Sequence, residues 1–273
     1  MKLSGHTILV TGGSAGIGLA FATKFLELGN EVIITGRRKS RLDQIKKNHP
    51  GLHTIASDVS DAASVASLAA EVREHFPRLD VLMNNAGVMV SRNLAVPAAD
   101  LGALTSEIDI NVNGTIRTTS ALIDVIRANR GTIINVSSAL AFVPLTSAPI
   151  YCATKAAIHS YTSSLRFQLQ DAGVQVVELM PPAVKTELTE GLSEASGIKL
   201  ITTDELVAAT IKALEAGKVE IRPGQANQLH WMSRLAPGVI NGMLHKASKP
   251  LIPGEGESGG GGSSAWGHRG GLA

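Results

Sequence analysis

The sequence carries a single cysteine, Cys152, among 273 residues. One thiol excludes an internal disulfide and suits a reducing compartment, so the expected location is cytoplasmic. Metal chemistry lacks its spacing too: the eight histidines include no H-E-x-x-H or similar set, and no metal site is expected. Charge of one sign is also missing. Lysine and arginine number 25 against 23 aspartate and glutamate, a formal net charge of +2, and the basic residues are scattered apart from a cluster at Arg37–Arg41. That balance argues against nucleic acid as a partner. No run is long and apolar enough to cross a bilayer, so no integral membrane segment is expected. Nor is a signal peptide visible. Lys2–Gly5 lead into a short apolar run that a glycine-rich turn ends at once.

What is present is an ordinary globular balance, 44% hydrophobic and 18% charged, in a chain long enough for one large α/β domain. Short apolar strands alternate with amphipathic helices. The strands are expected at Thr7–Val10, Glu31–Thr35, His53–Ala56, Asp80–Met83, Thr132–Val136 and Val174–Leu179, with a seventh possible at Val219–Arg222. The first helix has Ile17, Ala20, Phe21, Phe25 and Leu28 at helical spacing and Gly29 as its C-terminal cap. Ser40 is expected to cap the second helix and another helix follows Ser60. One long helix is expected over Leu104–Asn129, another from Tyr151 to Gln170, and Thr202-x-x-Glu205 reads as a capping box. The pattern predicts a Rossmann-like, doubly wound parallel sheet of six to seven strands with helices on both faces. It forms a single domain over residues 1–253, with a substrate flap at about 187–200. The stretch 254–273 holds nine glycines and reads as a flexible linker or a cloning remnant outside the fold.

Between the first strand and first helix lies Thr11-Gly12-Gly13-Ser14-Ala15-Gly16-Ile17-Gly18. Small residues here let the backbone approach a pyrophosphate and place it on a helix N-terminus, so Gly12, Ser14, Ala15, Gly16, Ile17 and Gly18 are candidate cofactor contacts. The spacing is T-G-x-x-x-G-x-G, a variant of the dinucleotide fingerprint. The second strand should deliver the residue that reads the adenosine ribose. An NAD site places an acid there; this chain has Gly36 followed by Arg37 and Arg38. Guanidinium groups suit a 2′-phosphate, which favours NADP(H) over NAD(H).

Tyr151 and Lys155 are four residues apart on an expected helix and share one face. A phenol with a pKa near 10 needs a neighbouring ammonium to become a useful acid/base at neutral pH. Such a pair alone arises by chance. It gains meaning downstream of a dinucleotide loop and after Ser137-Ser138 at a strand end, where open parallel sheets bind ligands.

With Asp58-Val59, N-N-A-G at Asn84, Asn111 in I-N-V-N-G, Ser138, and Y-C-A-T-K at Tyr151, the chain resembles the short-chain dehydrogenase/reductase family over about Lys2–Leu188. The resemblance implies a proton relay of Asn111, Ser138, Tyr151 and Lys155. Tyr151 exchanges a proton with the carbonyl oxygen and Ser138 hydrogen-bonds the same oxygen. Lys155 binds the nicotinamide ribose and lowers the tyrosine pKa, and Asn111 holds a relay water. The resemblance also places Asp58 and Val59 at the adenine and Asn85, Ala86 and Gly87 along the cofactor path. Asn84 is instead expected to tie strands together. After the sixth strand, Pro181-Pro182-Ala183-Val184-Lys185-Thr186 departs from the family's Pro-Gly start but keeps Thr186. Pro181, Val184 and Thr186 are therefore carried over as cofactor contacts. The last third, with Val219-Glu220-Ile221-Arg222 and Met232–Pro237, resembles a bacterial subgroup of oxidoreductases encoded beside teichoic-acid D-alanylation genes.

Substrate walls are expected from Leu140–Leu145, Ser147 and Ile150, with Met89, Val90 and Ala183 nearby; among them Leu140, Leu145, Tyr151 and Ala183 are the substrate candidates. Their apolar character points to a hydrophobic ketone, aldehyde or secondary alcohol. Cys152 reads as packing. The apolar segment from Trp231 to Leu244 is expected to close the pocket or pack on a second subunit, with a membrane surface as the third option. A homodimer or homotetramer is implied by the family resemblance. Rival functions are an NADP-linked quinone or acyl-derivative reductase using the same tetrad, and a non-catalytic dinucleotide sensor. A sugar epimerase or dehydratase would need a further domain for which the chain has little room.

Overall fold

Alternate residues of the first strand serve two different cores. In β1 (Thr7–Val10), Ile8 and Val10 join one apolar cluster and Leu9 the other. That division follows from the two-residue period of a strand covered on both faces, where neither side is left for polar residues. The computed structural model describes residues 3–189, 199–248 and 252. Most of the expected flap, and all of the glycine-rich stretch 254–273, lie outside the described residues.

Among the described residues seven strands form one parallel sheet: β1, β2 (Glu31–Gly36), β3 (Leu52–Ala56), β4 (Leu79–Asn84), β5 (Thr132–Val136), β6 (Gln175–Leu179) and β7 (Glu220–Ile221). Their spatial order is β3-β2-β1-β4-β5-β6-β7. Val10 stands beside Ile34 on one side and Met83 on the other. The chain crosses from β3 to β4 over the sheet, so the order reverses between β1 and β4. A crevice opens outside the strand ends at such a point.

Helices α1 (Gly16–Glu27), α2 (Lys39–Asn48) and α7 (Thr203–Glu215) cover one face, through Phe21, Phe25, Leu42, Leu206 and Leu214. Helices α3 (Ala62–His75), α5 (Gly114–Ala128) and α6 (Pro149–Leu169) cover the other, through Leu68, Val72, Leu122, Ile126 and Leu165. The last helices among the described residues are α8 (Gln225–Leu235) and α9 (Pro237–Ser248). Gly29, at φ +81°, closes α1 as expected, its N–H donating to the Leu26 carbonyl. The capping box of α7 is formed: Glu205 N–H donates to Thr202 Oγ1 at 3.1 Å and Thr202 N–H to Glu205 Oε2 at 2.7 Å.

Two local expectations need correction. Arg38, not Ser40, is the N-cap of α2, and Ser40 lies inside the first turn. The expected long helix is broken into α4 (Leu101–Ile108), a π-helical turn (Asp109–Asn113) and α5. Asp100 starts it earlier by accepting the N–H groups of Gly102 and Ala103 at 2.8 and 3.0 Å. The π turn carries Asn111, whose side chain is bonded to the Val88 backbone, and at Gly114 a Cβ would lie only 2.7 Å from Val59. The helix therefore bulges where it must meet the ends of β3 and β4.

Asn84 does tie strands together. Its Nδ2 donates to Asn135 Oδ1 on β5 and to Thr119 Oγ1 on α5, both at 2.9 Å and both buried. Truncation leaves buried acceptors unpaired, so Asn84→Ala is expected to lose about 2–3 kcal/mol in urea unfolding. A loss below about 0.5 kcal/mol would show that the strand tie is dispensable.

Candidate active site

The glycine-rich loop lies at the reversal point. Gly12 and Gly16 have φ of +62° and +50°, a region costly for residues with a Cβ. At Gly18 a Cβ would lie 2.4 Å from the Gly12 carbonyl oxygen and 2.5 Å from Asn85 Nδ2, so loop and helix could not close. Ala15, the N-cap of α1, provides no side-chain cap. The first-turn N–H groups of Gly16, Ile17 and Gly18 thus present an uncapped positive helix end, which fits an anionic pyrophosphate. Thr186 stands across from Gly16, its methyl 3.3 Å from where a Cβ would sit.

Behind the loop, Thr11 Oγ1 accepts the N–H groups of Asn85 and Ala86 at 3.0 and 3.1 Å. Asn85 Nδ2 returns to the Thr11 and Gly12 carbonyls. Its side chain holds the loop to the end of β4.

At the end of β2, Arg37 and Arg38 are exposed. Arg41, three residues further, is anchored: Nε donates to the Ser14 carbonyl at 2.9 Å and Nη2 meets Glu187 Oε1 at 2.9 Å. The basic cluster therefore sits against the glycine loop. Asp58 Oδ1 accepts from both the N–H and the hydroxyl of Ser60, and Val59 is buried against Gly114. Val184 is likewise a core residue beside Ile201, and the Pro181 carbonyl accepts the Ala139 N–H. The Val59 and Val184 side chains are thus buried in packing.

At the end of β5, Ser138 Oγ accepts the Leu140 N–H at 3.1 Å, and its hydrogen bond to Tyr151 favours the phenolate. Lys155 Nζ lies 5.5 Å from the centroid of the Tyr151 ring and donates to the Val136 carbonyl at 2.9 Å. Asn111 Nδ2 donates to the Val88 carbonyl and Thr154 Oγ1, while its Oδ1 accepts the Val88 N–H. Ser138, Tyr151, Lys155 and Asn111 are thus brought together and all are buried.

Electrostatics here depart from expectation. Burial pushes the Tyr151 phenol above its ordinary pKa, and that effect exceeds the opposing Ser138 hydrogen bond. Burial also lowers the Lys155 ammonium, to about 8. A carboxylate that sequence reading missed adds to this. Glu107, fully buried in the last turn of α4, accepts the Val90 N–H at 3.1 Å, lies 3.6 Å from Arg92 Nε, and raises the phenol further. Only its i, i+4 relation to Asn111 hinted at a shared face.

Apolar side chains surround Tyr151. Met89, Leu145, Ala148, Tyr151 and Cys152 form one buried cluster, with Leu140 and Leu188 packed on it. Ser147 is buried, and Ile150 and Ala183 are half-buried. Cys152 is packing: its thiol is paired with the Leu145 backbone and burial pushes it up to about 11. Phe142 turns away from this cluster, edge-on to His159 and to His230 of α8. With Thr146 meeting His245 of α9 at 3.1 Å, the C-terminal helices lie over the 140–146 loop and leave Trp231, Leu235, Val239 and Met243 exposed outside. Among the described residues no group of three His, Cys, Asp or Glu is arranged to hold a metal, and no helix is long and apolar enough to cross a membrane.

Comparison with known proteins agrees with this geometry. The family model "short chain dehydrogenase" matches residues 6–197. The "Uncharacterized oxidoreductase DltE" of Bacillus subtilis is 39% identical over 224 residues, covering 81% of this chain and 89% of that protein. A short chain dehydrogenase from Burkholderia cenocepacia, solved in complex with NADP, superposes with a TM-score of 0.78 at 27% identity over 89% of this chain and 99% of its own. A short chain dehydrogenase/reductase from Burkholderia phymatum, in complex with NAD, shares the fold at a TM-score of 0.75 and 22% identity, over 86% and 96% of the chains.

Lys155 gives a stability test. Its folded pKa of about 8 lies below an ordinary lysine's 10.5, so the unfolded chain binds more protons between these values. The penalty of burying the ammonium is therefore full below pH 8 and fades as pH rises towards 10.5. Lys155→Met is expected to gain about 1–3 kcal/mol at neutral pH, the desolvation relieved less one hydrogen bond. That gain should shrink across the same window in thermal melts; a gain constant with pH, or a loss at neutral pH, would contradict the assignment.

Proposed function

The chain belongs to the short-chain dehydrogenase family, and from that premise we propose that it is an NADP(H)-dependent oxidoreductase. Its reaction moves hydride between the nicotinamide and the carbonyl or carbinol carbon of a small hydrophobic ketone, aldehyde or secondary alcohol. The observation that carries this reading is the meeting of Ser138, Tyr151 and Lys155 at one strand end beside an uncapped, glycine-lined helix N-terminus. The bound cofactor supplies or accepts the hydride.

The chain's own groups handle the proton. Leu140 N–H occupies one lone pair of Ser138 Oγ, leaving that hydroxyl's hydrogen for Tyr151 or for a substrate oxygen. A phenol held above its ordinary pKa stays protonated at neutral pH, the form needed to protonate a carbonyl oxygen during reduction. In oxidation the phenolate must form, and the Lys155 ammonium beside the ring supplies the compensating charge. A lysine near pH 8 lies close enough to neutrality to pass a proton on. Asn111 has committed both amide hydrogens. Its main-chain carbonyl accepts from Thr115 Oγ1 at 2.9 Å, so the lone pair left on Oδ1 is where a relay water would be held.

Exposed Arg37 and Arg38, with Arg41 anchored on Ser14, support a 2′-phosphate reader where an NAD site would hold an acid. The cluster of Met89, Leu140, Leu145 and Leu188 around Tyr151 supports an apolar substrate. Phe167 and Ile116, exposed on α6 and α5, support assembly into a dimer or tetramer through these helices.

Tyr151→Phe is expected to abolish NADPH consumption on a panel of ketones, aldehydes and quinones while leaving NADPH binding by calorimetry nearly unchanged. Retained turnover would remove Tyr151 as the acid/base. NADPH should bind at least about tenfold tighter than NADH, the value of one charge-assisted contact, and Arg37→Ala should erase the difference. Equal affinities in the wild-type chain would overturn the preference for NADP(H).

A further inference from the structure

Helix α6 repeats its active-site spacing once more. Tyr151, Lys155 and His159 follow one another at four-residue steps and share the face turned to the sheet. His159 Nδ1 meets Glu178 at 2.9 Å to Oε2 and 3.1 Å to Oε1. Glu178 is fully buried on β6, and Ser137 Oγ donates to its Oε1 at 2.5 Å.

The register explains why these groups converge. Glu178 pairs with Asn135 across β5 and β6, so their side chains share a face, and Ser137, two residues on, shares it too. Ser138, the next residue, is hydrogen-bonded to Tyr151. Pinning Ser137 therefore restrains the backbone that carries Ser138. Three polar ties join α6 to this strand end: Lys155 to the Val136 carbonyl, His159 through Glu178 to Ser137, and Thr162 Oγ1, which accepts from Asn135 Nδ2 at 3.0 Å. The order Ser–Glu–His is not that of a hydrolytic triad, because the serine touches the carboxylate and not the imidazole.

We propose that His159 and Glu178 are positioning residues that hold the Tyr151 helix against the Ser138 strand end. The inference rests on the oxidoreductase reading above. A buried carboxylate needs a compensating charge, and the imidazolium of His159 supplies it. The other groups facing the imidazole are the edge of Phe142, with His230 of α8 beyond it, and Glu220 and Arg222 of β7. Glu220 is bonded to Arg166 and Arg222, so its charge is already matched. The Glu178 hydrogen bond raises the His159 pKa. A histidine raised in the folded state stabilises fully below its unfolded value, and that contribution fades as pH rises through the folded value. The brace is therefore tighter on the acid side.

The test compares wild type with His159→Gln, Ser137→Ala and Glu178→Gln in the full chain, measuring NADPH oxidation against pH. His159→Gln is expected to lower kcat about tenfold near pH 6 and less than about twofold near pH 9, with KM for NADPH unchanged. Ser137→Ala should lower kcat without that change in profile. Wild-type and His159→Gln profiles that run parallel would overturn the proposal. Glu178→Gln should return the His159 pKa to the ordinary range in an NMR titration, and an unmoved pKa would also overturn it. If wild type reduces nothing on the panel, the oxidoreductase reading fails separately. The brace is then judged by the melting-temperature gap between wild type and His159→Gln, which must narrow as pH rises; a constant gap rejects it.

Discussion

Everything at the site depends on polar groups buried at the carboxyl ends of β1, β4 and β5 finding one another. Thr11 Oγ1 takes two N–H groups from the end of β4, and Asn85 returns its amide to the Thr11 and Gly12 carbonyls. Asn84 reaches across to Asn135, which reaches on to Thr162 of α6. An unpaired amide in that setting costs on the order of 1–3 kcal/mol, so the set is satisfied nearly as a whole or not at all. The same bonds that settle the strand ends also fix the glycine loop on one side and helix α6 on the other.

On that frame burial weighs against the charged form of both titrating groups. It raises the Tyr151 phenol and lowers the Lys155 ammonium, moving the two pKa values apart. The phenol is thereby kept protonated at neutral pH, and the lysine is brought nearer to releasing its proton. Glu107 pushes in the same direction as burial by making the phenolate less favourable. The protein gives up stability at Lys155 to gain this arrangement, and the Val136 carbonyl returns only part of it.

What could be read in the sequence was what repeats locally. The strands of the sheet followed from apolar runs, the first helix from its 3.6-residue period, and the loop from its glycines. The Tyr151/Lys155 face followed from a spacing of four, and Asn84 was already separable from the cofactor contacts. The π turn around Asn111 was not legible, because its cause is the Val88 backbone and the approach of Val59 to Gly114. Ser40 failed as a cap for a related reason: α2 begins one residue before it, and the polar side chain falls inside the turn. Asn85 and Val184 turn their side chains to neighbours that only the fold brings near, whereas Asp58 bonds Ser60 two residues on. Glu107 and the Ser137–Glu178–His159 chain join positions 17 to 41 residues apart, which no local pattern marks.

The loop between Ser138 and Tyr151 and the strand end before it share one mechanical frame. Phe142 lies in the loop that begins at Ser138 and ends at Tyr151, and its ring is gripped between His159 of α6 and His230 of α8. The opposite end of that loop is held through Leu145, whose backbone meets the Cys152 thiol, and through Thr146 at His245. Because its grips come from α6 and from the C-terminal helices, a change in α8 or α9 must reach this loop. His159 is also the partner of Glu178, which holds Ser137 beside Ser138, so the loop and the strand end share one anchor on α6. The strand end has a second support in the pairing of β5 with β6, which the loop lacks.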